Sequence, residues 1–339
     1  MENIFVLTHV DETGSALTRA SLEAVTAGLE LAGCLGAPLA IGVIAADASA
    51  ANALAGTGAK LFAVSDETLA QPRYATDAAA CEALCRAANA TIVLVPAGAR
   101  LSRVAAGVAY RLGGVVDTHI TALGGTNQIE ATRWFYRQRV EAVISRSTRP
   151  WVVVLDAGTH VAYSGASGTA QVEQVAFASP ATRTTVSGIR APKLDEQTIR
   201  PDARMLFVAG AGWTKKQPDG QVHTADAAER ILGFLRATGA SLGSSKSLVD
   251  QGGEGNSVLP FLTHMNQIGQ TGATPRHAKG LATCCHGEEP HVVGWRFIGE
   301  RRAISLDSNC GWTRGKADVV YVADAFSVIK KLNELLARS

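Results

Sequence analysis

Leu206-Phe207-Val208-Ala209-Gly210-Ala211-Gly212-Trp213-Thr214 joins an apolar run of strand length to two glycines and then to larger side chains. The stretch reads as a strand, begun at Met205, whose backbone turns tightly toward a ligand at the carboxyl edge of a parallel sheet. As a dinucleotide fingerprint it is incomplete, because G-x-G-x-x-G calls for a third glycine where Lys215 stands. Downstream, the spacing predicts a helix over 225–238, a strand or turn over 240–244 and a long glycine-rich loop. Short strands over 303–306 and 319–322 and a final helix over 325–336 complete a compact doubly wound domain.

Upstream the same alternation begins with Ile4-Phe5-Val6-Leu7, a strand by length and side-chain type. Helices are expected over 17–31, 76–88 and 103–112, and further strands over 39–45, 60–64 and 91–96. Strands separated by helices of this length imply a parallel sheet covered on both faces. Between about 118 and 178 the apolar runs, among them Trp151-Val152-Val153-Val154-Leu155, follow one another without helical intervals. They are expected as antiparallel additions to that sheet. A polar stretch bounded by Pro192 and Pro201 reads as a linker. The expected organisation is α/β with two domains, 1–203 and 204–339, which suits a chain of 339 residues.

With 47% hydrophobic and 18% charged residues the chain has ample apolar surface to bury. A formal net charge of +2 leaves no global electrostatic attraction to nucleic acid or anionic membrane. No uncharged apolar run is long enough to cross a bilayer, and the first residues lack the features of a signal peptide. A cytoplasmic location is expected, in keeping with six dilute, irregularly spaced cysteines. Cys81 and Cys85 lie one helical turn apart and are expected in the core. Cys284-Cys285-His286, with Cys310 downstream, fits a metal site poorly, since paired thiolates sit at C-x₂₋₄-C spacing; no metal is expected. His9, His119 and His160 fall at strand ends as structural histidines. Arg133, Arg137, Arg139 and Arg146 read as a solvated strand face, with a subunit contact as the functional alternative. The absence of a G-x-S-x-G motif and of any nucleophile–base–acid set argues against hydrolysis.

Three further glycine-bearing polar loops follow apolar runs in the second half: Gly239 to Lys246, Ile268 to Gly272, and Gly287 with His291. Loops of this kind at one sheet edge can hold phosphate and hydroxyl oxygens. On these residues the second domain resembles the FAD domain of the alpha subunit of electron transfer flavoproteins, the FixB-like family. Ile268-Gly269-Gln270-Thr271-Gly272 is similar to the family's V-G-Q-T-G. Gly243-Ser244-Ser245-Lys246 with Asp250 resembles G-A-S-R…D, and the stretch from Gly287 to His291 and Gly294 resembles S-G-A-I-Q-H-L-x-G. Ala303-Ile304-Ser305-Leu306-Asp307 is similar to A-I-N-K-D, and Val320 to Asp324 to the closing G-I-V-G-D. The amino-terminal half is similar more loosely, through Ser21-Leu22-Glu23, Arg103 to Ala106, Asp117 and the arginine-rich strand.

The resemblance implies an electron carrier and not an enzyme. One FAD would lie on 204–339, and the amino-terminal domain would contact a smaller beta subunit. A flavin-linked dehydrogenase would supply electrons and a further redox acceptor would take them. Gln270 and Thr271 would meet the flavin ring edge, Ser245 and Lys246 would stand near the ring, and His291 would bond the pyrimidine carbonyl. Ser305 and Asp324 would fall toward the adenosine half. Gly210, Gly212, Gly269, His286 and Gly287 complete the expected cofactor-binding set; no catalytic residue is expected. Departures stand beside the matches: Ala211 replaces the arginine of G-G-R-G, Lys246 replaces a planar guanidinium, and Glu288 and Glu289 bring carboxylates toward a pyrophosphate. They motivate a rival reading, a structural or regulatory subunit with weakened or lost FAD binding. A third is a flavin enzyme using His286 as acid or base.

Overall fold

The computed structural model describes residues 2–125, 128–135, 140–188, 199–200, 203–250, 257–268, 277–283, 295, 298–309 and 317–338. The chain divides into two units, Met1–Ile189 and Arg190–Ser339. The division falls ahead of the expected position near Ala203. Arg200 is already tied to the second unit: its N–H donates to Ser241 Oγ (2.7 Å), its guanidinium to Gly239 O (2.6 Å), and its carbonyl accepts from His277 Nε2 (2.7 Å).

In the first unit the strands are β1 (Ile4–His9), β2 (Leu39–Ala45), β3 (Lys60–Ser65), β4 (Ile92–Pro96), β5 (Val115–Gly124), β6 (Glu130–Phe135), β7 (Val140–Ile144), β8 (Trp151–Leu155) and β9 (Val172–Gln174). The helices are α1 (Arg19–Leu35), α2 (Tyr74–Ala87) and α3 (Ser102–Arg111). The sheet runs β7-β6-β5-β8-β4-β1-β2-β3-β9. Every residue of β1 is buried, as a strand covered on both faces must be. Ile4, Val6, Ile41 and Val43 meet Val25 and Leu31 of α1 on one face. Phe5, Leu7 and Ile44 meet Leu84 of α2 and Val104 of α3 on the other. Thr18 caps α1 by accepting the Ser21 N–H, and Gly36 closes it in the left-handed conformation (φ 59°) that a side chain would strain.

One expectation for this unit is corrected. Of the strands between 118 and 178, only β6 and β7 pair antiparallel, as a hairpin added to β5. β8 enters the middle of the sheet, parallel to both β4 and β5, and β9 pairs parallel with β3. The physical reason is visible in β8 itself. Its five residues are all buried, and such a run has no polar face to offer water, so it belongs at the centre of a doubly covered sheet.

The second unit holds β10 (Met205–Ala209), α4 (Thr224–Thr238), β11 (Ser241–Ser244), α5 (Lys246–Asp250), β12 (Lys279–Thr283), β13 (Glu300–Ser305), β14 (Val319–Val322) and α6 (Ala325–Leu336). All five strands are parallel, in the order β11-β10-β12-β13-β14. Phe207, Leu242 and Ile304 pack with α4 and α6 on one face; Leu206, Val208 and Ala282 pack with Trp295 and Ile298 on the other. The central β12 was not anticipated from the sequence. Gly280 interrupts its apolar character, and the structure requires that glycine: a Cβ there would stand 2.8 Å from both Trp295 and Ile298 side chains.

Candidate functional site

In a doubly wound sheet the crevice for ligands opens outside the carboxyl ends of the strands, where the strand order reverses. In the second unit that point lies between β10 and β12, and the described site candidates gather along this edge. Gly210 and Gly212 follow β10, Ser245 and Lys246 follow β11, Ser305 ends β13 and Asp324 follows β14. Gly269, Gln270, Thr271, His286, Gly287 and His291 lie outside the described residues, as do Glu288, Glu289, Cys284, Cys285 and Cys310.

The turn after β10 is packed into the fold. Gly210 has an ordinary φ of −97° and donates its N–H to Thr283 O (2.9 Å), and 211–214 form a buried single turn. Trp213 Nε1 donates to Thr283 Oγ1 (2.8 Å), which in turn donates to Val208 O (2.9 Å). The indole rests on Phe326 at 4.5 Å between ring centroids. Ala211, where the resemblance would set an arginine, is fully buried in this cluster.

Ser245 is buried; its N–H donates to Ala209 O (2.9 Å) and its Oγ accepts the Leu248 N–H (3.2 Å). The half-exposed Lys246 Nζ stands 3.8 Å from Asp250 Oδ2, and Asp250 Oδ1 lies 3.2 Å from His264 Nε2. Ser305 Oγ closes a turn with Asp307, accepting its N–H at 3.2 Å. Asp324 caps α6, accepting the N–H groups of Phe326 (3.3 Å) and Ser327 (2.8 Å) and the Ser327 hydroxyl (2.8 Å). Each of these side chains has a structural partner, and among them Lys246 is the one that carries a positive charge, half-exposed.

Sequence reasoning passed over Ser244 and Gln267. Both are buried, and they bridge in parallel at the end of β11, yet Ser244 Oγ and Gln267 Nε2 have no hydrogen-bond partner among the described residues. A buried polar group left unpaired costs about 1–3 kcal/mol, so native folds rarely keep two side by side without a reason. Unused hydrogen-bonding capacity at this edge suits a ligand with polar edges of its own, and to that extent the residues present fit a flavin. The signal that could have found Ser244 was its place in Gly243-Ser244-Ser245-Lys246, where G-A-S-R has an alanine.

In the first unit, two of the four arginines read as a solvated face, Arg133 and Arg146, are tied to a buried carboxylate. Asp117, 4% exposed, accepts from Arg133 Nη1 (3.1 Å), from Arg146 Nε (2.8 Å) and Nη2 (2.9 Å), and from Trp151 Nε1 (3.0 Å). Burial alone would raise the Asp117 carboxyl, but the Arg146 and Trp151 bonds and the two guanidinium charges outweigh it and hold it below the ordinary range. Arg137 and Arg139 lie outside the described residues. Cys81 and Cys85 are both buried on α2, as expected, and burial pushes both thiols up.

This architecture, a large mostly parallel sheet and a second parallel sheet in one chain, is an α/β fold. The electron transfer flavoprotein domain matches residues 6–180, half of the chain and nearly all of the first unit. The chain belongs to that family, whose members are flavin-associated electron carriers. No curated protein matches it. Among the described residues no helix is long and apolar enough to cross a membrane, and no group of side chains could hold a metal ion.

Proposed function

We propose that the chain is the alpha subunit of a heterodimeric electron transfer flavoprotein, carrying one FAD on 204–339 and meeting a beta subunit through 1–203. The observation that carries this reading is that a chain with an electron transfer flavoprotein domain continues into a parallel sheet whose carboxyl edge holds Ser245, Lys246 and the buried Ser244 and Gln267, whose Oγ and Nε2 have no partner among the described residues. FAD, when bound, supplies the group that takes electrons from a partner dehydrogenase and yields them to a further acceptor. The chain's own residues hold and tune it. Ser244 and Gln267 offer hydrogen bonds, and Lys246 supplies a positive charge that Asp250 partly offsets.

The rival reading, a subunit that keeps the fold without tight FAD binding, is favoured by Ala211, which brings no cation to the edge. Co-expression with a beta-type subunit, a visible spectrum and chromatography of the released cofactor separate the two. A yellow heterodimer that releases FAD and is bleached by its dehydrogenase is expected. A heterodimer that stays colourless after incubation with FAD, or that releases FMN, would overturn the proposal.

A further inference from the structure

The first unit has a reversal of strand order of its own, between β1 and β4. From β1 the chain leaves through α1 on one face toward β2, while α2 and α3 cover the other face. Outside the carboxyl ends of β1 and β4 lies a cleft of about 390 Å³, a volume suited to a small molecule. The starts of two helices border it, at Thr18 and Ala20 of α1 and at Arg100 and Arg103 beside the start of α3. Neither helix has an acidic residue in its first turn; Thr18 caps α1, and the start of α3 has no side-chain cap.

The charged groups at this cleft are built in. Arg100, 9% exposed, donates from Nε (3.1 Å) and Nη2 (2.8 Å) to Asp77 Oδ1, and Nη2 also reaches Leu69 O at 2.7 Å. Arg103 donates from Nη2 to Asp77 Oδ2 (2.7 Å) and from Nε to Arg100 O (3.2 Å). One fully buried carboxylate therefore serves two guanidinium groups. A net positive charge remains, and Nη1 of each arginine has no partner among the described residues. The Asp77 bonds explain how the arginines are held, and they leave Nη1 of each as the donor that can serve an oxyanion. His9, 8% exposed, donates from Nδ1 to Val10 O (2.8 Å), and its Nε2 lies close to Gly98, where a Cβ would stand 3.8 Å away; both residues line the cleft. Burial lowers the His9 pKa, with the Arg100 charge acting in the same direction and the Val10 bond, Asp77 and Glu12 acting against them. The ring is neutral near pH 7 and offers Nε2 as an acceptor. Asp11 and Glu12 also line the cleft, from the loop that follows β1, and bring negative charge to it.

We propose that this cleft binds a small metabolite with an oxyanion at one end, a phosphate or a carboxylate, and hydroxyl or amino groups at the other. The oxyanion sits on Arg100, Arg103 and the two helix starts, and the donor groups face His9 Nε2 and Glu12. The site belongs wholly to the first unit and does not depend on flavin binding by the second.

Calorimetric titration of the full chain, in complex with its beta-type partner, tests the proposal with inorganic phosphate, ribose 5-phosphate, glycerate and free ribose as probes. Ribose 5-phosphate or glycerate is expected to bind more tightly than inorganic phosphate, according to whether the natural head group is a phosphate or a carboxylate, while free ribose gives no heat. Arg103→Gln leaves Asp77 its bonds to Arg100 and is expected to weaken the favoured probe about tenfold or more, with Arg103→Lys recovering part of the loss. Glu12→Gln, at an exposed position, is expected to weaken the favoured probe and leave inorganic phosphate unchanged. In the wild-type protein the favoured probe is expected to move the His9 ring signals in the NMR spectrum, whatever the fate of the variants. No binding of any anionic probe, unmoved His9 signals at saturation, or Arg103→Gln and Glu12→Gln proteins that both bind as the wild type does would overturn it.

Discussion

Lys246 sets the electrostatics of the proposed flavin edge at the scale of a single residue. Its ammonium is half-exposed and lies 3.8 Å from Asp250, a geometry that in water is worth about 0.2–1 kcal/mol. A cation beside a flavin favours the form with extra negative charge, and the neighbouring carboxylate opposes it. In the loaded heterodimer Lys246→Ala is expected to lower the midpoint potential by about 30 mV for a one-electron step, the equivalent of about 0.7 kcal/mol. Asp250→Asn is expected to raise it by a similar amount. Redox titration of the two variants checks both signs. Unchanged potentials at unchanged flavin occupancy would show that Lys246 faces only solvent.

At the scale of elements, Asp117 is the pin that joins β5 to the hairpin and to β8. Arg133 comes from β6, Arg146 from just past β7 and Trp151 from the start of β8. Removing the charge leaves two guanidinium groups uncompensated, one of them mostly buried, so Asp117→Asn is expected to cost about 3 kcal/mol in denaturant unfolding at pH 7. The sign with pH follows from the depressed carboxyl. Its folded pKa lies below the unfolded value of about 3.9, so the contribution is complete above that value and is lost as the pH falls through the folded one. Wild-type and variant stabilities are therefore expected to converge as the pH falls through the folded pKa of Asp117. A difference that stays constant from pH 7 to pH 3 would mean that the Asp117 bonds act without their charge.

Across the whole molecule, apolar side chains remain on two sheet edges. Val140 and Val143 of β7 are 47% and 63% exposed, and Tyr321 and Val322 of β14 are 45% and 58% exposed. Uncovered edges with apolar side chains pair with other chains unless something protects them. In keeping with the proposed heterodimer, the chain expressed alone is expected to aggregate, and co-expression with a beta-type subunit to keep it in solution. Size-exclusion chromatography of both preparations is the check, and a monodisperse, FAD-saturated monomer would count against a partner covering these surfaces.

By itself the sequence determined the two-unit α/β plan and most element positions, because strands buried on both faces and helices with one apolar side leave periodicities that need no partner to be read. It also placed Gly210, Ser245, Lys246, Ser305 and Asp324 at strand ends, since a residue's position along the chain says when a strand stops. What only the tertiary structure decided depends on residues far apart in sequence. The insertion of β8 between β4 and β5 is a choice of neighbours, and an all-apolar strand carries no mark of which neighbours it will have. The need for Gly280 lies in Trp295 and Ile298, and the role of Arg133 and Arg146 lies in Asp117. Ser244 and Gln267 look ordinary in sequence; they stand out only once burial has removed water and no partner among the described residues has replaced it. The cleft at His9, Arg100 and Arg103 exists because the strand order reverses between β1 and β4, which brings together loops some ninety residues apart.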